Sequence, residues 1–208
     1  MKKLLALFTA LVILTVSLVS CSGEAVAYED IDFSKVAIDK ISESDKETDY
    51  VIITVKDFGK IVVRLYPEVA PTTVKNFKKL VSENFYDGLI FHRVIEGFMI
   101  QGGGSSTKNA DSIKGEFNNN GFRNNLKHTR GVLSMARTSD PNSASSQFFV
   151  MHQDAPHLDA QYAGFGKLTD GFDVLDTIAT TKTGNYGWYM QDVPKTPIVI
   201  EKIEVLSK

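Results

Sequence analysis

The stretch 91–103 concentrates side chains that could hold another polypeptide. Side chains alternate along a strand, so two faces are expected: Phe91, Arg93 and Ile95 opposite His92 and Val94, then Phe98, Ile100 and Gly102 opposite Met99, Gln101 and Gly103. An arginine beside large apolar residues is unusual, because charged side chains are rarely buried. Arg93 is therefore expected either to donate hydrogen bonds to a peptide or merely to pair with a carboxylate.

The common signatures of nucleophilic and metal-dependent catalysis are missing from the sequence. It contains no Gly-x-Ser-x-Gly elbow, no His-Glu-x-x-His and no Cys-x-x-Cys. Gly102-Gly103-Gly104 lacks the Gly-Lys-Ser/Thr that completes a phosphate loop, so it predicts a tight turn or a close backbone approach. Four scattered histidines and one cysteine leave few soft ligands. We expect no metal and no cofactor.

The elements that must position these side chains are mostly strands. Residues 50–56 and 60–66 are rich in Val and Ile and flank Asp57-Phe58-Gly59, which predicts a β-hairpin whose glycine supplies a positive φ. A helix is predicted to begin at Ala70-Pro71, with Val74, Phe77, Leu80 and Val81 at helical spacing and Lys75, Lys78 and Lys79 facing outward.

Two further elements complete the outline. A short helix is predicted near 172–178, with Phe172, Leu175 and Ile178 on one face. In 197–206, Val199, Ile203 and Val205 alternate with charged residues, as in a half-buried strand. Several short strands between glycine turns, with only two helices, predict a mainly β protein built as a closed barrel.

The first 21 residues have the pattern of an export signal. Met1-Lys2-Lys3 is followed by an apolar run and then by Leu18-Val19-Ser20-Cys21, which resembles the lipobox of bacterial lipoproteins. The expected domains are a signal peptide at 1–20, a lipidated Cys21 with a flexible acidic tether to residue 48, and a folded domain at 49–208. The alternative is an ordinary signal peptide or an anchor helix. The predicted location is the extracytoplasmic side of a bacterial membrane, held by the lipid.

The charge balance argues against nucleic-acid partners. Residues 1–20 contain two of the 23 basic residues and no acidic one, so the remainder has 21 basic and 25 acidic side chains and a formal charge of −4. A mildly acidic chain without a basic run offers little to nucleic acid or to anionic lipid. We expect a monomer.

Two motifs resemble those of the cyclophilin family of peptidyl-prolyl isomerases. The first is Phe91-His92-Arg93-Val94-Ile95-x-Gly97-Phe98-Met99-Ile100-Gln101-Gly102-Gly103, and the second comprises Gly131-Val132-Leu133-Ser134-Met135-Ala136 and Ser146-Gln147-Phe148-Phe149. The resemblance extends over essentially all of 49–208. It implies an eight-stranded antiparallel barrel capped by two helices, isomerase activity on proline-containing polypeptides, and no cofactor.

The resemblance also implies roles for individual residues. Arg93 matches the catalytic arginine of the family. The matches to its substrate-binding residues are Phe98, Met99, Gln101, Ala136, Arg137, Gln147, Phe149, His157, Leu158 and Tyr162. Three of these depart from common family residues: Arg137 replaces an asparagine, His157 a tryptophan and Tyr162 a histidine. The side-chain contact of Arg137 and any tight binding of cyclosporin are therefore in question.

The expected function is acceleration of X-Pro rotation in exported proteins, which would assist their folding at the membrane surface. One rival is a peptide-binding or chaperone module of the same shape with little turnover. A solute-binding lipoprotein would need a longer chain of two lobes, and a peptidase or metalloenzyme would need a nucleophile or a ligand cluster.

Overall fold

A computed structural model describes residues 47–187 and 190–207. The predicted signal peptide, Cys21 and nearly all of the predicted tether lie outside these residues, so those predictions stand as they were. The strands are β1 (Glu47–Val55), β2 (Gly59–Leu65), β3 (Ile90–Ile95), β4 (Met99–Gly102), β5 (Val132–Met135), β6 (Phe148–Met151), β7 (Gly164–Asp170), β8 (Thr183–Gly184), β9 (Val193–Pro194) and β10 (Ile198–Ser207). The helices are α1 (Pro71–Ser82), α2 (Phe172–Ala179) and the 3₁₀ turns Asn118–Asn120 and Pro156–Leu158.

Eight of the strands close into an antiparallel barrel in the order β1-β10-β3-β4-β6-β5-β7-β2. The short strands β8 and β9 pair only with each other. Apolar residues of the barrel and of both helices form one core, in which Ile53, Phe91 and Phe165 are fully buried. The predicted barrel is therefore confirmed. Within the described ranges, no helix is long and apolar enough to cross a membrane.

The predicted hairpin forms between β1 and β2, with Val55 paired to Gly59. Its turn has two residues with positive φ, Asp57 at 64° and Gly59 at 121°. Asp57 was not expected to share this role, but aspartate is among the residues that tolerate the left-handed region.

Helix α1 begins at Pro71, as predicted, and buries Val74, Phe77, Leu80 and Val81. Its first turn is anchored by a buried carboxylate, because Glu116 accepts hydrogen bonds from the backbone N–H groups of Thr72 and Thr73 at 2.9 and 2.8 Å. A negative charge at this position satisfies helix N–H groups that have no partner within the helix. Helix α2 covers the predicted 172–178 and buries Leu175 and Ile178.

The alternation expected for the last strand is wrong at Val199. Ile198, Ile200 and Ile203 are buried, so the inward-facing positions change parity within β10. The pairing explains this, because Thr54 lies opposite Lys202 while the next residue, Val55, lies opposite Ile200. The extra residue is a β-bulge, which shifts the side-chain register by one.

Candidate active site

A second β-bulge sets the direction of Arg93. Phe91 pairs with Gly102 and Arg93 pairs with Gln101, so His92 is an extra residue on β3. Phe91 and Val94 both enter the barrel core, while Arg93 lines a cavity on the outer surface. The expectation that Phe91 and Arg93 share a face is wrong, because a bulge redirects the side chains that follow it.

The alternation of side chains between the two faces of the sheet begins at Met99, the first residue of β4, and does not include Phe98. Ile100 points into the barrel core, and its neighbours Met99 and Gln101 line the outer cavity. Phe98 was expected opposite Met99, yet it lines the same cavity because it belongs to the turn before the strand.

The turn that carries Phe98 is held by hydrogen bonds to the end of β6. Gly97 has φ +75°, and its N–H donates to Nδ1 of His152 at 2.9 Å. The N–H of His152 donates in return to the carbonyl of Phe98 at 2.9 Å. A ring nitrogen that accepts a hydrogen bond carries no proton, so Nε2 carries the proton of the neutral ring.

The other side of His152 faces helix α2. Its Nε2 lies 3.2 Å from a carboxylate oxygen of Asp176, and Arg130 donates to the other oxygen of that carboxylate at 2.9 Å. The hydrogen bond from Arg130, joined by the charge of Arg130 and the hydrogen bond from His152, lowers the pKa of Asp176, although burial acts in the opposite direction. The turn is thus fixed to the body of the domain.

Nine side chains enclose a cavity of about 160 Å³ on the outside of the barrel. They are Arg93, Phe98, Met99, Gln101, Ala136, Arg137, Phe149, Leu158 and Tyr162. The apolar members belong to a hydrophobic cluster separate from the barrel core. None of the nine is a serine, threonine or cysteine, so the walls offer apolar contact and hydrogen-bond donors without a nucleophile.

Gln147 and His157 lie next to this cavity without lining it. Gln101 donates to the side-chain oxygen of Gln147 at 3.0 Å, and Gln147 helps to line a neighbouring recess of about 270 Å³. The ring of His157 stacks on Phe98 with centroids 5.6 Å apart. The structure therefore brings together all eleven residues that the sequence singled out. Nine of them line one cavity, and the other two lie beside it.

Arg137 is engaged with its own chain. Its guanidinium lies over the rings of Tyr162 and Phe117, with centroids 4.6 and 5.1 Å away. Its Nε and Nη2 donate to the carbonyl of Gln161 at 3.1 and 2.9 Å, and Nη1 donates to the carbonyl of Thr138 at 2.8 Å. Arg137 thus joins two loops at the rim of the cavity, a role that asparagine is too short to fill.

The carboxylate partner considered for Arg93 is present at the rim. Nε of Arg93 lies 3.5 Å from Oδ2 of Asp192, and both side chains are more than a third exposed, at 41% and 35%. A pair this open to solvent contributes about 0–1 kcal/mol. It therefore leaves the guanidinium available to a ligand in the cavity.

Three residues behind the cavity were not singled out from the sequence. Nε2 of the buried His128 is 3.0 Å from Oγ of Ser134, and its Nδ1 is 3.2 Å from Oδ1 of Asp159. The ring stacks on Phe149 with centroids 6.1 Å apart. Their positions in the sequence, 128, 134 and 159, match no compact motif, so only the fold reveals the group.

This Ser-His-Asp group supports the wall of the cavity through the stacking of His128 on Phe149, and Ser134 itself is fully buried and does not line the cavity. Burial lowers the pKa of His128, although the hydrogen bond and charge of Asp159 act in the opposite direction. Burial acts to raise the pKa of Asp159, but hydrogen bonds from His128 and Lys127 outweigh it and lower that pKa. Across the part of the chain that the structure describes, no group of three or more His, Cys, Asp or Glu side chains could hold a metal ion.

The fold and the site together define a class: a closed β-barrel that presents a largely apolar cavity lined by Arg93 and Arg137, suited to holding a peptide rather than to cleaving it. Residues 50–205 match the model of the cyclophilin type peptidyl-prolyl cis-trans isomerase family. The chain belongs to this family, and its activity is the cis-trans isomerisation of peptidyl-prolyl bonds.

The relatives agree with this assignment. A peptidyl-prolyl cis-trans isomerase of Acinetobacter baylyi is 46% identical over 156 residues, which cover 73% of this chain and 82% of that protein. The isomerase B of Escherichia coli is 43% identical over 155 residues, covering 71% and 94%. A cyclophilin crystal structure from Cryptosporidium parvum has a TM-score of 0.67 and 31% identity, covering 77% of this chain and 98% of that one.

Proposed function

We propose that Arg93 is the catalytic residue and that the cavity around it receives the proline of the substrate. The observation that carries this is the arrangement of Arg93 on one wall of an otherwise largely apolar cavity of about 160 Å³. A crystal structure of the Cryptosporidium parvum relative was obtained in the presence of the dipeptide Ala-Pro, at 32% identity and a TM-score of 0.66, covering 76% of this chain and 99% of that one. The Ala-Pro dipeptide used with that relative supports a proline ligand here.

The proposed chemistry requires no nucleophile. Rotation about an amide bond has a barrier of about 18–20 kcal/mol, because the nitrogen lone pair is delocalised into the carbonyl. As the bond twists, the nitrogen pyramidalises and its lone pair becomes able to accept a hydrogen bond. The guanidinium of Arg93 donates to it, and this bond exists mainly in the twisted state, which is the condition for lowering a barrier.

The other ten residues hold the substrate on both sides of the rotating bond. Phe98, Met99, Phe149 and Leu158 contact the proline ring through apolar surfaces. Gln101, Gln147 and the backbone near Ala136 and Arg137 contact the flanking peptide, while His157 and Tyr162 form an aromatic rim. Holding one side still while the other turns lowers the barrier by orientation.

The test is a coupled isomerisation assay on a proline tetrapeptide with residues 22–208. Arg93→Ala should lose about 100-fold in kcat/KM, since removal of one well-placed donor typically costs that much. Arg93→Lys should also be poor, because an ammonium lacks the planar fork of donors. Lys75→Ala, which removes an exposed cation from α1, is the control.

Near-wild-type rates for folded Arg93→Ala would overturn the catalytic assignment. If the wild-type protein binds the tetrapeptide but does not accelerate its isomerisation, the protein is instead a peptide-binding or chaperone module.

We infer that the enzyme is exported, lipid-anchored through Cys21, and acts as a monomer on exported proteins whose X-Pro bonds slow their folding. Support comes from the basic start, the apolar run and Leu18-Val19-Ser20-Cys21. Two or more acyl chains give stable anchoring where one is marginal. The predicted tether has 25 residues between Cys21 and the start of β1 at Glu47, and a flexible coil of that length spans roughly 25–30 Å, enough to hold the barrel clear of the lipid head groups.

Labelling the full chain with a palmitate analogue in a bacterial host tests the anchor. The wild-type protein should take up label and sediment with membranes, whereas Cys21→Ser should do neither. Ser22→Ala is the matched control because it alters a neighbour and keeps the thiol. Equal labelling of wild type and Cys21→Ser would refute the anchor and leave the isomerase assignment intact.

A further inference from the structure

A groove larger than the proline cavity lies on the other side of Arg93. It has a volume of about 660 Å³ and is formed by Ile90, His92 and Arg93 of β3, Gln101 of β4, and the segment that leads into β9 with Met190, Gln191 and Val193. We name it the Met190 groove. Arg93 and Gln101 line both spaces, so a polypeptide in the cavity can continue into the groove.

The walls of the Met190 groove offer apolar contact that is open to solvent. Met190 is 46% exposed, and within the described ranges it and Tyr186 are the large apolar side chains left exposed. Ile90 and Val193 add half-buried apolar surface below it. Methionine is unbranched and polarisable, so it adapts to ligands of different shape. Such a wall suits a range of apolar side chains.

The charges around the groove do not favour an anion. The charge of Arg93 is partly offset by Asp192, 3.5 Å away. Burial and the neighbouring Arg93 both lower the pKa of His92, so its ring is neutral at pH 7. Gln101 and Gln191 supply uncharged donors and acceptors. The described residues around the groove therefore give no net positive field that would attract a phosphate or an acidic peptide.

The segment that carries Met190 is fixed to the barrel. The carbonyl of Asp192 accepts from the N–H of Val94 at 2.9 Å, and the N–H of Asp192 donates to Oδ1 of Asn185 at 3.0 Å. The N–H of Tyr186 donates to the carbonyl of Met190 at 2.7 Å. A wall held in place before binding loses little entropy when a ligand arrives.

We propose that the Met190 groove is a second substrate subsite, which binds an apolar side chain of the polypeptide that flanks the proline. It makes the enzyme prefer prolines in apolar surroundings, as in unfolded chains whose core residues are exposed. This inference rests on the proposed placement of the proline in the Arg93 cavity. Two observations support this inference: the cavity and the groove share Arg93 and Gln101, and the apolar side chain of Met190 is exposed to solvent.

The experiment measures kcat/KM for a series of peptides that share one X-Pro bond. In the reference peptide alanine occupies the three positions on either side of the X-Pro bond, and in each other peptide leucine replaces one of them. Wild type should favour at least one leucine peptide over the reference by about tenfold, the gain from burying part of a leucine side chain. Met190→Ser should reduce that ratio to about twofold or less.

Two variants make the result specific. Met190→Leu should retain the preference, because it keeps an apolar wall. Tyr186→Ser should also retain it, because that exposed side chain does not line the groove. A ratio that is the same in wild type and Met190→Ser at every position would overturn the proposed subsite. Failure of wild type to isomerise any peptide would instead overturn the proposed function.

Discussion

The catalytic role proposed for Arg93 depends on the direction in which its side chain points from β3. Arg93 lies in a strand whose neighbours fill the core, and only the extra residue at His92 turns it outward. In the sequence, Arg93 was singled out by its apolar neighbours and by the resemblance to the cyclophilin family. The sequence could not predict the bulge, because an alternating pattern of apolar residues carries no mark of where one residue is added.

Asp192 pairs with the guanidinium of Arg93 at 3.5 Å without lining the cavity. Changing Asp192→Asn keeps the left-handed backbone at φ 57°, which asparagine also tolerates, and removes only the charge. We expect kcat to fall by about twofold to fivefold, because an exposed ion pair is worth about 0–1 kcal/mol. The measurement is kcat and KM on the tetrapeptide at low and high salt.

Salt provides the internal check on this prediction. Ions screen exposed pairs, so wild type at high salt should approach the rate of Asp192→Asn, whose own rate should change little. Glu201→Gln removes an exposed negative charge elsewhere and should leave the salt response as in wild type. A faster Asp192→Asn enzyme would mean that the carboxylate competes with the substrate for Arg93.

At the scale of elements, the sequence predicted the hairpin, both helices and the closed barrel, since each depends on a periodic pattern or on turn residues. The sequence did not predict the bulges in β3 and β10 or the group of Ser134, His128 and Asp159 behind the cavity. The bulge in β10 arises from pairing with the distant strand β1, whereas the bulge in β3 lies in a local hairpin with β4 whose apolar pattern does not mark it. The glycine run was predicted as a tight turn or close approach, and the structure confirms this: a Cβ on Gly103 would lie 2.8 Å from the carbonyl oxygen of Ser146.

Gly103→Ala should destabilise the domain far more than Gly104→Ala. Gly103 has φ +79°, and its added Cβ would also lie 3.0 Å from the buried rings of Phe148 and Tyr86. We expect a loss of about 1–3 kcal/mol in unfolding free energy from backbone strain alone. At Gly104 the nearest contact is the flexible side chain of Gln147 at 3.3 Å.

Urea unfolding of the two alanine variants beside wild type measures the difference. Equal midpoints for the two variants would show that the β4–β6 region yields to the added methyl group, contrary to the packing described here.

At the scale of the whole molecule, stability should depend on two histidines that the fold keeps neutral. The pKa values of His92 and His128 are lowered in the folded state, chiefly by burial. Below about pH 6.5 the unfolded chain binds protons that the folded chain does not. The unfolding free energy should therefore decrease as the pH is lowered below about 6.5. The decrease should end at the lower pH at which the histidines of the folded protein also become protonated.

Urea unfolding at pH 7.5, 6.5 and 5.5 tests this, with His92→Gln/His128→Gln as the comparison. Each histidine contributes a slope of at most about 1.4 kcal/mol per pH unit, and the double variant should lose that part. Asp159 and Asp176, whose pKa values are lowered, act in a separate window: their contribution is present above about pH 4 and is lost as pH falls further. An unchanged slope between pH 7.5 and 5.5 in the double variant would contradict the assignment.

The place of β10 in the barrel has a consequence for biosynthesis. Strand β10 lies between β1 and β3, and both of these strands precede it by many residues in the chain. The longest separation is between Glu47 of β1 and Ser207 of β10, which pair with each other. Until β10 pairs, the facing edges of β1 and β3 stay open, and contacts of such long sequence separation form slowly. The barrel therefore closes only after β10 has been made, and β3, which carries Arg93, gains its second neighbouring strand at that moment.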